Sequence, residues 1–186
     1  MSYLNSTTSE GGQLVATDLV FVALGSNMPS IYGSPVETVK LAMERLQILS
    51  RAPLRRSSLW LNEAVDCPRD SPEFVNAVVG LLPGEEETPG SLLRKLLELE
   101  TVFGRNESVI QNAPRPLDLD LICFGNQVVN EVDLNLPHPK AQSRLFVLLP
   151  LQEIAPELTL PLQRETVTQL ANKLSDSLQA ITKIPD

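Results

Sequence analysis

The sequence has few of the residues that characterise disulfide-rich, zinc-binding or nucleic-acid-binding proteins. Its two cysteines, Cys67 and Cys123, fit neither a CxxC motif nor another ligand spacing, so we expect no disulfide framework and no zinc site. Aromatic residues make up 4% of the chain, and 15 Lys and Arg stand against 23 Asp and Glu, for a net charge of -8. An acidic chain with only short basic clusters does not offer a broad nucleic-acid surface.

Long hydrophobic runs are also missing. No stretch reaches the length that a membrane span requires. Residues 1–17, rich in Ser, Thr and Gly, are expected to form a disordered leader. Residues 18–186 are expected to form a single domain, because a chain of this size can bury a sizeable core in one unit. We therefore expect a cytoplasmic protein with no membrane or nucleic-acid partner. A monomer is our expectation for the oligomeric state.

One stretch places two carboxylates on what its pattern predicts to be a strand. Residues 114–125 have the sequence PRPLDLDLICFG. Because side chains alternate along a strand, Asp118 and Asp120 would share one face, with Cβ atoms about 7 Å apart, while the leucines face a core. Two carboxylates this close favour a cation, and Mg²⁺ is commonly held by one or two carboxylates plus substrate phosphates. An ordinary amphipathic strand with both Asp side chains in solvent fits the same pattern.

The order of the predicted elements indicates the fold class. The first strand is predicted to end at the Gly25-Ser26-Asn27 turn, and Ser34 to Glu37 has the composition of a capping box. The predicted strands cover 18–24, 54–61, 74–82 and 114–125, and the predicted helices cover 34–49, 88–103, 144–155 and 167–181. This βαββαβ order is typical of a ferredoxin-like α+β sandwich, an antiparallel sheet with helices packed on one face, here with an extra C-terminal helix.

Two polar residues in unusual settings are candidates for binding. His138, the only histidine, lies between two prolines in a rigid extended segment, which suits a phosphate or metal contact. Asn76 interrupts the apolar run of the third predicted strand. Each residue also has a purely structural interpretation, as a hydrogen-bonded side chain inside the fold.

Five segments then point together to one family. They are ALGSN at 23–27, FVNA at 74–77, the Leu-Glu to Gly-Arg segment at 99–105, PRPLDLD at 114–120 and LPHPKAQSRLFVLLPLQEIAPEL at 136–158. In this order they resemble the 6-hydroxymethyl-7,8-dihydropterin pyrophosphokinase family of folate biosynthesis. The resemblance covers roughly residues 18–160, and its last two segments are the specific ones.

The resemblance implies an ATP-dependent reaction on a small molecule. The family transfers pyrophosphate from ATP, the co-substrate, to the hydroxymethyl group of the dihydropterin and releases AMP. Two Mg²⁺ ions are implied between Asp118, Asp120 and the phosphates. The implied ATP-binding residues are Glu100, Arg105, Arg115, His138 and Arg144, and the three arginines together with the two aspartates form the implied catalytic set. The implied pterin-binding residues are Asn62, Val65, Phe74, Asn76 and Phe146.

The segment 106–113 departs from the family pattern. Glu107 stands where relatives commonly carry an arginine, and Asn112-Ala113 stands where many have Trp-Gly. The segment thus lacks a cation and an aromatic ring that would cover bound substrates. This leaves open a catalytically weak paralogue that binds a nucleotide or pterin as a regulatory module. A ferredoxin-like nucleic-acid binder is a further alternative, which the acidic balance disfavours.

Overall fold

Antiparallel strands organise the computed structural model, which describes residues 19–64, 67–68, 71–105, 113–175 and 180–185. The strands are β1 (Val20–Ser26), β2 (Arg55–Arg56), β3 (Trp60–Asn62), β4 (Phe74–Leu81), β5 (Asp118–Phe124), β6 (Val129–Asn130), β7 (Asn135–Leu136) and β8 (Ile181–Lys183). The helices are α1 (Pro35–Leu46), α2 (Pro89–Val102), α3 (Leu145–Ile154) and α4 (Val167–Leu174). In the described part of the chain, no helix is long and apolar enough to cross a membrane.

The main sheet has β1 at its centre. Its strand order is β5-β1-β4-β3-β8, with β2 also paired to β4, and β6 pairs with β7 apart from it. β2 and β3 together take the place of the single strand predicted at 54–61. The ladder is interrupted at Ser57, where the Ser57 hydroxyl rather than a carbonyl accepts the Val78 N–H at 2.9 Å. The predicted βαββαβ order is present.

Helices cover both faces of this sheet. On one face Val22 and Leu24 of β1 belong to a core shared with α1 and α2. On the other face Phe21 belongs to a second core shared with α3 and α4. The prediction that helices lie on one face only is therefore wrong. The reason is the composition of α3, LFVLLPLQEI, which is apolar almost all round and so needs partners on two sides.

The ends of α1 and α2 lie where local sequence signals predict them. Ser34 and Glu37 form the predicted capping box of α1, and Thr88 and Ser91 form a second one at α2. Gly104, at φ 93°, ends α2 in the left-handed region that glycine adopts without steric cost. The chain thereby turns back so that Arg105 follows the last turn of α2 directly.

The prediction that the C-terminal helix includes Ile181 is wrong. α4 ends at Leu174, and Ile181 begins β8, which pairs antiparallel with β3. The apolar residue at 181 fits the helical spacing of the preceding segment, but its backbone pairs with an open strand edge. A β-branched side chain is well suited to that position. The leader predicted at 1–17 lies outside the described residues.

Candidate active site

A cavity of about 410 Å³ opens on the α3 face of the sheet, where the strands β1, β4 and β5 meet at one end. Every site residue predicted from the sequence lines it except Val65, which lies outside the described residues. The lining includes Asn62, Phe74, Asn76, Glu100, Arg105, Arg115, Asp118, Asp120, His138, Arg144 and Phe146. The fold thus brings together residues that are far apart in the sequence.

Asp118 and Asp120 share the cavity face of β5, as the alternation predicts. Leu119, between them, is 4% exposed and belongs to the opposite core. In the sheet register Asp118 lies opposite Gly25 and Asp120 opposite Ala23 on β1. Small side chains at these two positions leave the space in front of the carboxylates open.

The two carboxylates have different partners. Arg105 Nη1 and Arg115 Nη1 donate to Asp118 Oδ1 at 2.8 Å and 2.9 Å. Arg144 Nη1 lies 4.0 Å from Asp120 Oδ2. Burial and the neighbouring charge of Asp118 raise the pKa of Asp120 above its usual range. An added cation would favour the ionised form of Asp120 and oppose this rise.

The donor set of the cavity suits a metal that shares its ligands with a substrate. Among the residues that the structure describes, no group of three or more His, Cys, Asp or Glu is arranged to hold a metal ion. Asp118 and Asp120 offer a pair of hard oxygen ligands. Mg²⁺ accepts such a pair when phosphate oxygens and water complete its octahedron, whereas structural zinc needs four protein ligands.

Glu100 connects α2 with β5 beneath the carboxylates. Its side chain is almost fully buried, and its Oε1 accepts from the Leu119 N–H at 2.6 Å and from Arg105. Its Oε2 is buried and has no hydrogen-bond partner among the described residues. Burial raises the pKa of Glu100 to about 7. Glu100 thus holds the arginine that reaches Asp118, in addition to lining the cavity.

His138 has a defined tautomer in its neutral form. The backbone N–H of Lys140 donates to His138 Nδ1 at 3.2 Å, so the ring proton belongs on Nε2. The His138 N–H donates to the Ile122 carbonyl at 2.8 Å, which ties this segment to β5. Burial lowers the pKa of His138, and Arg144 and Lys140 add to the effect against the opposing charge of Asp120. A neutral imidazole with an N–H donor therefore lines the cavity.

Two asparagines form the opposite wall. Asn62 Nδ2 donates to the Glu63 carbonyl at 2.7 Å, which leaves Asn62 Oδ1 to accept from Asn76 Nδ2. Asn76 Nδ2 also donates to the Phe74 carbonyl at 3.3 Å, so both of its N–H groups are used. A Cβ on Gly25 would lie 3.3 Å from Asn76 Oδ1. The pair therefore presents Asn76 Oδ1 as an acceptor next to a residue without a side chain.

Aromatic and aliphatic side chains complete the lining. Phe146 lies under the Arg144 guanidinium, whose carbon is 5.4 Å from the ring centroid, a cation–π distance. Cys67, Leu93, Leu97 and Lys140 are among the lining residues that the sequence did not predict. Leu97 is 48% exposed at the cavity rim. The i, i+4 spacing of Leu93 and Leu97 places both on one helix face, but it does not indicate what that face contacts.

A known protein family matches the part of the chain that contains all of these lining residues. A model of the family described as 7,8-dihydro-6-hydroxymethylpterin-pyrophosphokinase (HPPK) matches residues 21–156. The chain belongs to this family. The family prediction is therefore confirmed, and with it the prediction of an enzyme of the pyrophosphokinase class in folate biosynthesis. The match favours the enzyme over the nucleic-acid-binding alternative.

Several relatives support this HPPK assignment. A Haemophilus influenzae 2-amino-4-hydroxy-6-hydroxymethyldihydropteridine pyrophosphokinase is 33% identical over 156 residues, which cover 84% of this chain and 92% of the relative. A Pseudomonas aeruginosa protein of the same name is 37% identical over 143 residues, covering 76% and 83% respectively. Both relatives are thus matched over most of their length.

A solved structure supports the fold. The Plasmodium falciparum HPPK-DHPS wild type with SDX-DHP superposes with a TM-score of 0.66 at 13% identity over 83% of this chain. The present chain spans 44% of that protein. The predicted ferredoxin-like α+β fold is confirmed by this likeness and by the strand order.

Proposed function

We propose that this protein transfers the pyrophosphoryl group of ATP to 6-hydroxymethyl-7,8-dihydropterin in a Mg²⁺-dependent reaction that yields AMP and the pterin pyrophosphate. The observation that supports it is one cavity in which a carboxylate pair, three arginines and a neutral histidine face an amide pair. The first group suits a metal-bound triphosphate. The second suits a planar, nitrogen-rich ring. Both substrates are small molecules.

The nucleotide half of the cavity, formed by the carboxylates, the arginines and His138, is proposed to neutralise and position the triphosphate. Asp118 and Asp120 would hold Mg²⁺, for which two ions are proposed, and the bound metal would supply neutralisation of the triphosphate charge. Arg105, Arg115 and Arg144 would bind the phosphates, with Glu100 near the nucleotide and His138 donating its Nε2–H. Phosphoryl transfer depends mainly on positioning and electrostatic stabilisation, so these groups suffice without a covalent nucleophile.

The pterin half is proposed to recognise ring edge and ring face separately. Asn76 Oδ1 would accept an N–H of the pterin, because Asn62 occupies the amide nitrogen of Asn76. Phe74 and Phe146 would supply apolar walls for the ring. Asn62 itself and Val65 would contribute polar and backbone groups at the edge. An acceptor fixed in this way favours ligands that present a donor at that position.

The proposal is tested by incubating the protein with ATP, Mg²⁺ and the hydroxymethyl-dihydropterin and separating the nucleotides. We expect AMP to appear in step with the pyrophosphorylated pterin, and no AMP when the metal is chelated. Formation of ADP instead would contradict a pyrophosphoryl transfer. An exposed carboxylate variant, Glu157→Gln, serves as the control for protein handling.

The sequence of segment 106–113 motivates a second candidate. Glu107 and Asn112 replace an arginine and a tryptophan that are common in the family. A catalytically weak paralogue would bind ATP or the pterin and turn over little. Isothermal titration of ATP, combined with the AMP assay, separates the candidates. Measurable heat of ATP binding without AMP formation would favour the regulatory module. Replacing Glu107 by Arg should then raise ATP affinity if the segment covers the triphosphate.

A further inference from the structure

A single side chain connects three strand ends beside the cavity. Asn27 directly follows β1, which lies between β4 and β5 in the sheet. It is a polar residue that is only 3% exposed. It does not line the cavity, so the proposed chemistry assigns it no contact with a substrate. Its burial therefore needs another explanation.

The first connection runs from Asn27 to the segment that enters β5. The Arg115 N–H donates to Asn27 Oδ1 at 2.8 Å, and the Asn27 N–H donates to the Arg115 carbonyl at 3.3 Å. Pro114 and Pro116 have no N–H, so the Arg115 N–H is the only backbone donor of these three residues. The Asn27 side chain supplies the acceptor for this donor, so the Arg115 backbone is held by two hydrogen bonds.

The second connection runs from the same amide to the segment that enters β4. Asn27 Nδ2 donates to the Pro72 carbonyl at 3.3 Å. Pro72 lies two residues before Phe74, where β4 begins. The oxygen and the nitrogen of one buried amide are thus used on opposite sides of β1.

Both connected segments deliver residues to the cavity. The Arg115 guanidinium meets Asp118 Oδ1 at 2.9 Å, and this contact depends on where the Arg115 backbone lies. Phe74 and Asn76 follow Pro72 and form part of the opposite wall. A shift of either segment would displace groups on which the proposed reaction depends, and a misplacement of about 1 Å can cost on the order of 100-fold in rate.

We propose that Asn27 is a positioning residue for both halves of the site: its Oδ1 places Arg115 for the nucleotide, and its Nδ2 places the start of β4 for the pterin. The effect on catalysis rests on the proposed function. The structural part rests on the hydrogen bonds alone. The two parts are therefore tested by different measurements.

Two substitutions separate the two connections. Asn27→Ala removes both of them, whereas Asn27→Asp keeps the acceptor for the Arg115 N–H and removes the donor to Pro72. Ser57→Ala is the matched control, because Ser57 Oγ also accepts a backbone N–H of a neighbouring strand, at 2.9 Å, and Ser57 does not line the cavity. Thermal unfolding and kcat and KM for both substrates are measured well below each melting temperature.

The expected results differ in kind from a loss of stability. Asn27→Ala should raise both KM values and lower kcat/KM by about 10- to 100-fold. Asn27→Asp should keep the KM for ATP near wild type and raise the KM for the pterin, while Ser57→Ala should lower only the melting temperature. The proposal is overturned if Asn27→Ala behaves like Ser57→Ala, or if Asn27→Asp recovers no ATP affinity. Should the alanine variant fail to fold, the aspartate variant alone decides by its split of the two KM values.

Hydrogen exchange at the Arg115 amide provides a measurement that does not need turnover. The amide should be protected in the wild type and in Asn27→Asp, and should exchange faster in Asn27→Ala. Equal exchange in all three proteins would overturn the positioning role even if the enzyme is active. Absence of turnover in the wild type, with the expected exchange pattern, would instead count against the proposed function and leave the structural part standing.

Discussion

Asp118 and Asp120 are equivalent in strand geometry but differ in their electrostatic surroundings. Asp118 Oδ1 accepts from Arg105 and Arg115, whereas Arg144 Nη1 lies 4.0 Å from Asp120 Oδ2, and burial and Asp118 raise the pKa of Asp120. Removing the charge of Asp120 relieves a like-charge repulsion. Removing the charge of Asp118 leaves Arg105 and Arg115 without that partner. The two residues should therefore respond differently to the same substitution.

We expect Asp120→Asn to lower Mg²⁺-dependent kcat/KM by about 100-fold or more, since removal of one electrostatic stabiliser typically has an effect of this size. Its melting temperature should stay unchanged or rise. Asp118→Asn should lower both activity and melting temperature. AMP release and thermal unfolding measure the two effects, with Glu157→Gln as the control. A near-normal rate in Asp120→Asn would contradict the metal-binding role.

His138 should act as a neutral donor. We expect His138→Ala to lower kcat/KM by about 10- to 1000-fold, and His138→Gln to recover part of the loss through its amide N–H. Since burial lowers the pKa of His138, the ratio of wild-type to alanine-variant rates should be constant above about pH 6.5 and should shrink only at more acidic pH. A rate ratio that grows on acidification would mean that the charged imidazole is the active form.

At the scale of elements, the joint between α2 and β5 determines how the arginines reach the carboxylates. Glu100 lies in the last turns of α2, and its Oε1 accepts from the Leu119 N–H of β5 at 2.6 Å. The Arg105 N–H donates to the Glu100 carbonyl at 3.0 Å, after the turn at Gly104. Helix, turn and strand are thus connected through one buried residue, by its side-chain carboxyl group and its backbone carbonyl.

This joint should make stability depend on pH. The pKa of Glu100 is raised to about 7 in the folded protein, against 4.5 for an unperturbed glutamate, so the folded state binds the proton more tightly. The stabilisation is complete below about pH 4.5 and is lost as the pH rises through about 7, a change on the order of 3 kcal/mol. Glu100→Gln keeps an acceptor for Leu119 and should flatten this dependence. A constant difference in free energy of unfolding from pH 5 to 8 would contradict the assignment.

At the scale of the whole molecule, charge is distributed unevenly. The chain has a net charge of -8, yet Arg105, Arg115 and Arg144 converge on one cavity. A net negative charge favours repulsion between copies of the chain. Residues 18–186 remain predicted to form a single domain.

We therefore expect a monomer in solution. Light scattering should give a mass near the chain mass of 20.4 kDa at both low and physiological salt. Higher salt weakens the repulsion between like-charged copies. The mass measured at low salt is therefore the reference for the mass measured at physiological salt. A mass near twice this value at both salt concentrations would contradict the expectation.

By itself, the sequence determined the features that depend on neighbours a few residues apart. The alternation of Leu119 with Asp118 and Asp120 and the capping box of α1 could both be predicted from it. These signals are short in range because strand and helix periods are two and 3.6 residues. The family resemblance rested on the five segments taken in order, and it implied eleven of the lining residues.

Only the tertiary structure decided how distant residues meet. Asn27 and Arg115 are 88 residues apart, and Asn62 and Asn76 are 14 apart, so no periodicity reports either contact. The placement of α3 on the second face and of Ile181 in β8 likewise depends on which surfaces and strand edges other elements leave open. Such choices minimise unpaired backbone groups and exposed apolar area over the whole chain, and a local pattern does not contain that information.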